Sequence, residues 1–225
     1  MKDIDHLITV SYKRSFVIGM LLAGATSRRT DLPNKLRATF TVVHSLAQTD
    51  LAEWKASEVR RLFGLPVQIL QNQQAAQTSF SFVQEGRLRV IHDWFHRANQ
   101  KTITDKVRFL SHPIGLAVIL SDCGFVHYSN SIGIQLPDIN RASTQRLLEH
   151  ITGFCGATGH LISENNEPGI TGVQFIYSDN EARKLWECAS PWMPSIPSVV
   201  DKFSVFSDFL DIGKDGRHPN GINRG

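Results

Sequence analysis

The chain has 225 residues, with 24 Lys and Arg against 21 Asp and Glu, and 41% of it is hydrophobic. That is globular composition, and it excludes a disordered or collagen-like chain. Cys123, Cys155 and Cys188 are too few and too scattered for a disulfide framework or a zinc ribbon. Charges precede any apolar run in Met1–His6, so no signal peptide is expected. The longest apolar stretch, Phe16–Ala25, is roughly half of what spans a bilayer. A soluble, intracellular protein with no membrane partner is the expectation.

The +3 net charge is unevenly spread. Arg28, Arg29, Lys35 and Arg37 face a single nearby acid, Asp31, and a second basic cluster runs from Arg87 to Arg108. Acids gather in the second half, among them Glu149, Glu164, Glu181 and Glu187. Such asymmetry suits a polyanionic partner, although a solvated helix face also produces charge runs.

In chain order, residues 13–25 predict an apolar helix carrying the small residues Gly19, Ala23, Gly24 and Ala25. These allow a close helix crossing, and they equally suit a buried helix ended by a Gly cap. Lys35–Val43 alternates Lys35, Arg37, Thr39 and Thr41 with Leu36, Ala38, Phe40 and Val42, which predicts a half-buried strand with a basic outer face. Asp50 then precedes an amphipathic helix stopped by Gly64. Strands at 67–71 and 78–83 flank a Gln-rich turn, and a helix follows with Leu88, Ile91, Trp94 and Phe95 on one stripe. Thr102-x-x-Asp105 resembles a capping box opening another short helix.

The order then restarts. Ile114–Cys123 is again a short apolar helix, followed by strands near 125–128 and 131–136, a helix through Leu147, Leu148, Ile151 and Phe154, and a strand at 173–177. A helix opening at Ser178-x-x-Glu181 comes next, then a segment punctuated by Pro191, Pro194 and Pro197. Gly24 and Cys123 are 99 residues apart, and Lys101 and Lys202 are 101 apart, so two landmarks share one period. That period predicts an internal duplication, with repeats at 13–110 and 111–210 and a flexible tail at 211–225.

Residues 17–25 (VIGMLLAGA) and 116–124 (LAVILSDCG) are similar to two copies of the nine-residue LAGLIDADG motif. Thr26-Ser27-Arg28-Arg29, His44-Ser45, Trp54-Lys55, Lys101 and the segment Pro194–Lys202 extend the likeness over roughly residues 13–210. The chain thus resembles the LAGLIDADG homing endonucleases in their two-motif, single-chain form. The resemblance implies an α+β fold of two pseudo-twofold-related αββαββα repeats, with the motif helices at the axis and a saddle of antiparallel sheets laid on double-stranded DNA. It implies a monomer, since one chain supplies both halves of the saddle. Structured intron RNA is the second partner it admits, through the maturases of the family.

Under that resemblance, Arg28, Arg29, Lys35, Arg37 and Thr39 belong to the DNA-facing side, with Gln68, Gln71, Gln73, Gln74 and Gln77. Glutamine can read adenine through a bidentate hydrogen-bond pair. His127, Tyr128, Asn130, Gln135 and Gln174 are the second repeat's candidates. Family members end each motif in a metal-holding acid just before the final small residue, and here those positions are Gly24 and Cys123. Glycine offers no ligand and sulfur is a soft match for Mg²⁺. Asp122 lies about 100° round the helix from Cys123, so it is expected to point away from the axis. Asp122, Lys101 and Lys202 are left as residual catalytic candidates, and Mg²⁺ enters only if the chain is an active nuclease. The expectation is a binder degenerate at its cleavage centre, without cofactor. His92 and His96 stand four apart as zinc pairs do, but Asp93 replaces the usual Glu and no third ligand is evident.

Overall fold

The computed structural model describes residues 2–32, 35–97, 100–127, 131–137, 139–162 and 174–204. Tyr128, Asn130 and the tail 211–225 lie outside the described residues. Helix α1 runs from Lys2 to Leu22, starting well before the apolar segment that predicted it. It ends where Gly24 takes φ +119° and the Ala25 N–H returns to the Met20 carbonyl at 2.9 Å. Such a turn favours glycine because it needs no Cβ at positive φ.

The first unit continues with β1 (Thr26–Leu32), β2 (Lys35–Ser45), α2 (Thr49–Phe63), β3 (Ile69–Asn72), β4 (Gln77–Glu85) and α3 (Val90–Phe95). A hairpin, β5 (His96–Arg97) with β6 (Gln100–Lys101), leads out of it. The second unit repeats the order with α4 (Pro113–Cys123), β7 (Gly124–His127), β8 (Ser131–Gln135), α5 (Arg141–Cys155), β9 (His160–Ile162), β10 (Gln174–Tyr177) and α6 (Asp179–Ala189). A short α7 (Pro197–Val200) follows. Each unit builds a four-stranded antiparallel sheet, ordered β1-β2-β4-β3 and β7-β8-β10-β9. The α+β architecture of two αββαββα units is therefore the one expected. No described helix is long and apolar enough to cross a membrane.

Alternation decides which sheet face is buried. Ala38, Phe40 and Val42 of β2 and Phe80 and Phe82 of β4 are buried against the helices, with Phe40 and Phe82 stacked at 5.3 Å. From α2, Leu51, Ala52, Ala56 and Val59 complete this layer. In the second unit, Ile132, Ile134, Phe175 and Tyr177 play the same part. Burial of these side chains stabilises each sheet by about 1.5–3 kcal/mol apiece.

The seam between the units is the α1–α4 contact. A Cβ built on Gly19 would stand 2.5 Å from the Gly115 carbonyl, and one on Gly115 would stand 2.6 Å from the Ser15 carbonyl. Close approach is thus made at Gly19 and Gly115. Ala23, Gly24 and Ala25, which the sequence also offered for that purpose, lie beyond the helix end. Buried Ser15 ties the crossing, its Oγ accepting from the Ser111 and His112 N–H groups at 3.0 Å.

One predicted cap is corrected. The segment after Thr102 is a 3₁₀ turn at Asp105–Phe109, and Thr104 caps it by accepting from the Lys106 N–H. The helix expected to open at Ser178 does so, with Ser178 at the N-cap position of α6; the Glu181 N–H donates to the Ser178 carbonyl at 2.8 Å, and the Glu181 carboxylate receives the Thr158 N–H at 2.5 Å. Strands β1 and β9 are additions to the sequence reading, and Asp31, the acid beside the first basic cluster, lies in β1.

Candidate nucleic-acid interface

The first sheet's outer face is built by the residues that alternate with the buried set. The ladder aligns Arg28 with Thr39 and Val83, Thr26 with Thr41 and Ser81, and Arg37 with Glu85. Farther along, Val43, Ser79 and Leu70 form one row, and Ser45, Gln77 and Asn72 the next. Thr41 Oγ1 and Ser81 Oγ share a 2.8 Å hydrogen bond, and Arg37 Nε stands 2.6 Å from Glu85 Oε1. Val43, Leu70 and Val83 are large apolar side chains left exposed on the same face. A hollow of about 560 Å³ lies over Thr26, Arg28, Thr39 and Thr41.

Most first-repeat candidates sit here or at its margin. Gln77 is on the face, and exposed Gln68, Gln73 and Gln74 occupy the approach to β3 and the β3–β4 turn. Lys35 is in β2 opposite Leu32. Two lie on the other parity of their strands. Arg29 pairs with buried Ala38 and Gln71 with buried Thr78, so both belong to the helix-side parity. Arg29 Nη1 accordingly lies 3.4 Å from Asp93 Oδ1 on α3.

The second sheet presents a different outer face. Its described strands contain no Lys or Arg. Gln135 and Gln174 stand opposite each other, the Gln174 amide donating to Gln135 Oε1 at 3.3 Å. Phe125 lies across Gly133, where an added Cβ would meet its ring at 2.2–2.6 Å. His127 meets Phe125 edge-on at 6.1 Å.

At the seam's end the two motif termini differ. Gly24 is exposed, and among the described residues only Pro137 is within reach of a built Cβ, at 3.4 Å. Cys123 donates through Sγ to the Ala23 carbonyl at 3.5 Å. Burial, reinforced by the Asp122 charge, pushes its thiol up to about 12, so it stays protonated at neutral pH. Asp122 turns away from the axis into an ion pair with Lys55 of α2, whose Nζ lies 2.5 Å from Oδ1; both side chains are buried. Lys55 Nζ also lies 3.1 Å from His44 Nε2. Burial and the Lys55 charge hold His44 down at about 4, so it is neutral and accepts that bond. Lys202 Nζ donates to the Ser121 and Asp122 carbonyls at 2.6 and 3.3 Å, neutralising the negative end of α4. This buried cluster joins the two units and was not foreseen in the sequence, although His44, Lys55, Asp122 and Lys202 had each been singled out.

Among the described residues no group of three His, Cys, Asp or Glu side chains is placed to hold a metal. The described groups at the ends of the two seam helices are a glycine, a protonated thiol and a carboxylate already committed to Lys55, a poor donor set for Mg²⁺. The proposed zinc pair does not open as one either. His92 and His96 stack at 4.4 Å, with His92 Nδ1 bonded to Ser27 Oγ and His96 Nδ1 to the His92 carbonyl.

Comparison with known proteins bears on this arrangement. The model of the LAGLIDADG DNA endonuclease family matches residues 14–153, a span that runs through both seam helices. Among solved structures, the homing endonuclease I-WcaI bound to its DNA recognition sequence superposes with a TM-score of 0.61 at 12% identity, covering 85% of each chain. I-DmoI in complex with DNA and Mn gives 0.54 at 10% identity, over 83% of this chain and 99% of that one. Among curated proteins none matches. These likenesses carry the fold, and with the matched span, more than half of the sequence, they show that the chain belongs to the LAGLIDADG DNA endonuclease family.

Proposed function

We propose that this chain binds double-stranded DNA in a sequence-specific manner and has lost the cleavage chemistry of the endonucleases from which its two-motif form derives. The observation that carries the reading is a contrast within one molecule: a sheet face with cations and hydrogen-bonding groups that no described element covers, and a seam whose two ends supply, among the described residues, no uncommitted carboxylate. Arg28 and Arg37 supply phosphate attraction, and the Thr, Ser and Gln rows supply donors and acceptors for base edges. Val43, Leu70 and Val83 suit thymine methyl groups in a major groove. The solved structures it resembles are described as bound to DNA, which supports the same partner. The pseudo-symmetric pair of sheets within one chain supports action as a monomer.

A second reading, structured RNA, draws on the second sheet. The Phe125 ring against Gly133 gives an unpaired base a surface to stack on, which a duplex does not use. Selection from random duplex DNA and structured RNA in parallel separates the two. A recovered duplex motif supports the first reading. Recovery of RNA alone overturns it.

A further inference from the structure

A groove of about 890 Å³ opens beside Gly24, between the β1 edge, α3 and the β5–β6 hairpin. Arg28, Arg29, Lys101, His92, His96 and Gln100 line it, and no carboxylate is among its described lining residues. On α3, Asp93 pairs with Arg29. The two imidazoles are nearly parallel, 15° apart, with centroids separated by 4.4 Å. Their hydrogen bonds fix their roles in part. A backbone carbonyl can only accept, so His96 donates through Nδ1 to the His92 carbonyl at 3.1 Å and is left with Nε2 as its basic atom. His92 Nδ1 is held by Ser27 Oγ at 2.8 Å.

We propose that this groove is a phosphate site, holding a phosphodiester of the bound duplex, and that the stacked His92–His96 pair takes up one proton from solvent as the phosphate enters. The proposal rests on the DNA-binding reading above and goes beyond it by assigning an anion site with its own proton linkage. In the free protein, Arg28 and Arg29 from β1 and Lys101 from β6 are the described cations facing the pair; they favour the neutral form of His96, and Asp93 opposes them. Burial, then the neighbouring His92 and Lys101, hold His96 below the ordinary imidazole range, against the hydrogen bond to His92 and the Asp93 charge. An entering phosphate reverses that local field. Two imidazolium rings at this separation repel, so the pair accepts one proton rather than two. The protonated ring then donates to a phosphate oxygen as a charge-assisted bond.

The test is calorimetric titration of the full chain with its selected duplex, in two buffers of different ionisation heat, repeated across pH 5.5–7.5. The expected result is uptake of up to about one proton per complex, with affinity rising as pH falls by at most about tenfold per unit. In a His92→Gln/His96→Gln chain the uptake disappears while duplex is still bound, although His127 and His160 remain. Duplex binding by the unaltered chain without proton uptake overturns the proposal, and needs no variant. Uptake that persists in the double variant also overturns it. A titration with inorganic phosphate gives no uptake if the site belongs to the duplex. Uptake with phosphate but not duplex assigns the groove to a free anion and overturns it. Failure to bind duplex at any pH instead sinks the DNA-binding reading, and this one with it.

Discussion

The two sheets have the same strand order and pair antiparallel throughout, yet they show solvent different chemistry. The first places Arg28, Arg37, Thr39 and Thr41 outward, whereas the second has no cation in its described strands and lays Phe125 across Gly133. The seam is just as unequal. The first motif ends in an exposed glycine at positive φ, and the second in a buried thiol next to a carboxylate that reaches into the first unit's Lys55 and His44. What the copies share is the inner alternation of apolar residues, because that is what the fold requires. Outer faces and helix ends are free to diverge, and there the two halves differ.

The largest effect should come from the tie between the halves. Asp122→Ala leaves the Lys55 charge buried without its partner and should cost about 3–5 kcal/mol in denaturant unfolding. Removing both charges together, as Lys55→Met with Asp122→Leu, should restore most of that loss. Ala23, which stands 99 residues before Asp122, should tolerate change far better. Equal costs at the two positions would break the asymmetry.

Filling the seat under Phe125 is next. Gly133→Ala forces the ring out of its place and should destabilise by about 1–3 kcal/mol, leaving duplex affinity close to unaltered. A loss of duplex binding would mean that the apolar sheet is also a contact surface.

Acid should weaken the first unit's side of the tie. His44 titrates near the ordinary 6.5 when unfolded and about 4 when folded. The unfolded chain therefore binds the proton first, and stability present above pH 6.5 is lost as pH falls toward 4. At pH 5 the loss relative to pH 8 should be about 2 kcal/mol from this group. His112 is also held at about 4, and its Nδ1 must stay unprotonated to accept the Ile114 N–H at the α4 N-cap, so it acts in the same direction. A flat profile over this range would contradict the buried, neutral His44.

The smallest effects are on binding. Arg28→Ala and Arg37→Ala should each weaken duplex affinity by roughly tenfold and flatten its salt dependence by about one phosphate. Gln135→Ala and Gln174→Ala should change it little, since those amides already bond each other. The reverse ranking would move the interface to the second sheet.

Much of this was legible in the sequence where local pattern decides. The alternation in Lys35–Val43, the stripe of α2 with its Gly64 stop and the duplication period all follow from short-range rules, and the structure has the corresponding elements. The short edge strands β1 and β9 were missed. TSRRTDL has no apolar alternation, and HLI is too short to carry any, so only pairing with β2 and β10 reveals them. Nor does the sequence show that Arg29 and Gln71 stand on the opposite parity from the outer rows. The Lys55–Asp122–His44 cluster and the His92–His96 groove unite residues far apart in the chain, and no spacing rule brings them together.

The most direct measurement takes one labelled duplex, selected by the chain itself, and follows complex formation and strand integrity together in Mg²⁺ or Mn²⁺. A shifted complex whose two strands stay intact is the outcome this account requires. Nicked or cut strands from the purified chain, or no complex at all, would contradict it.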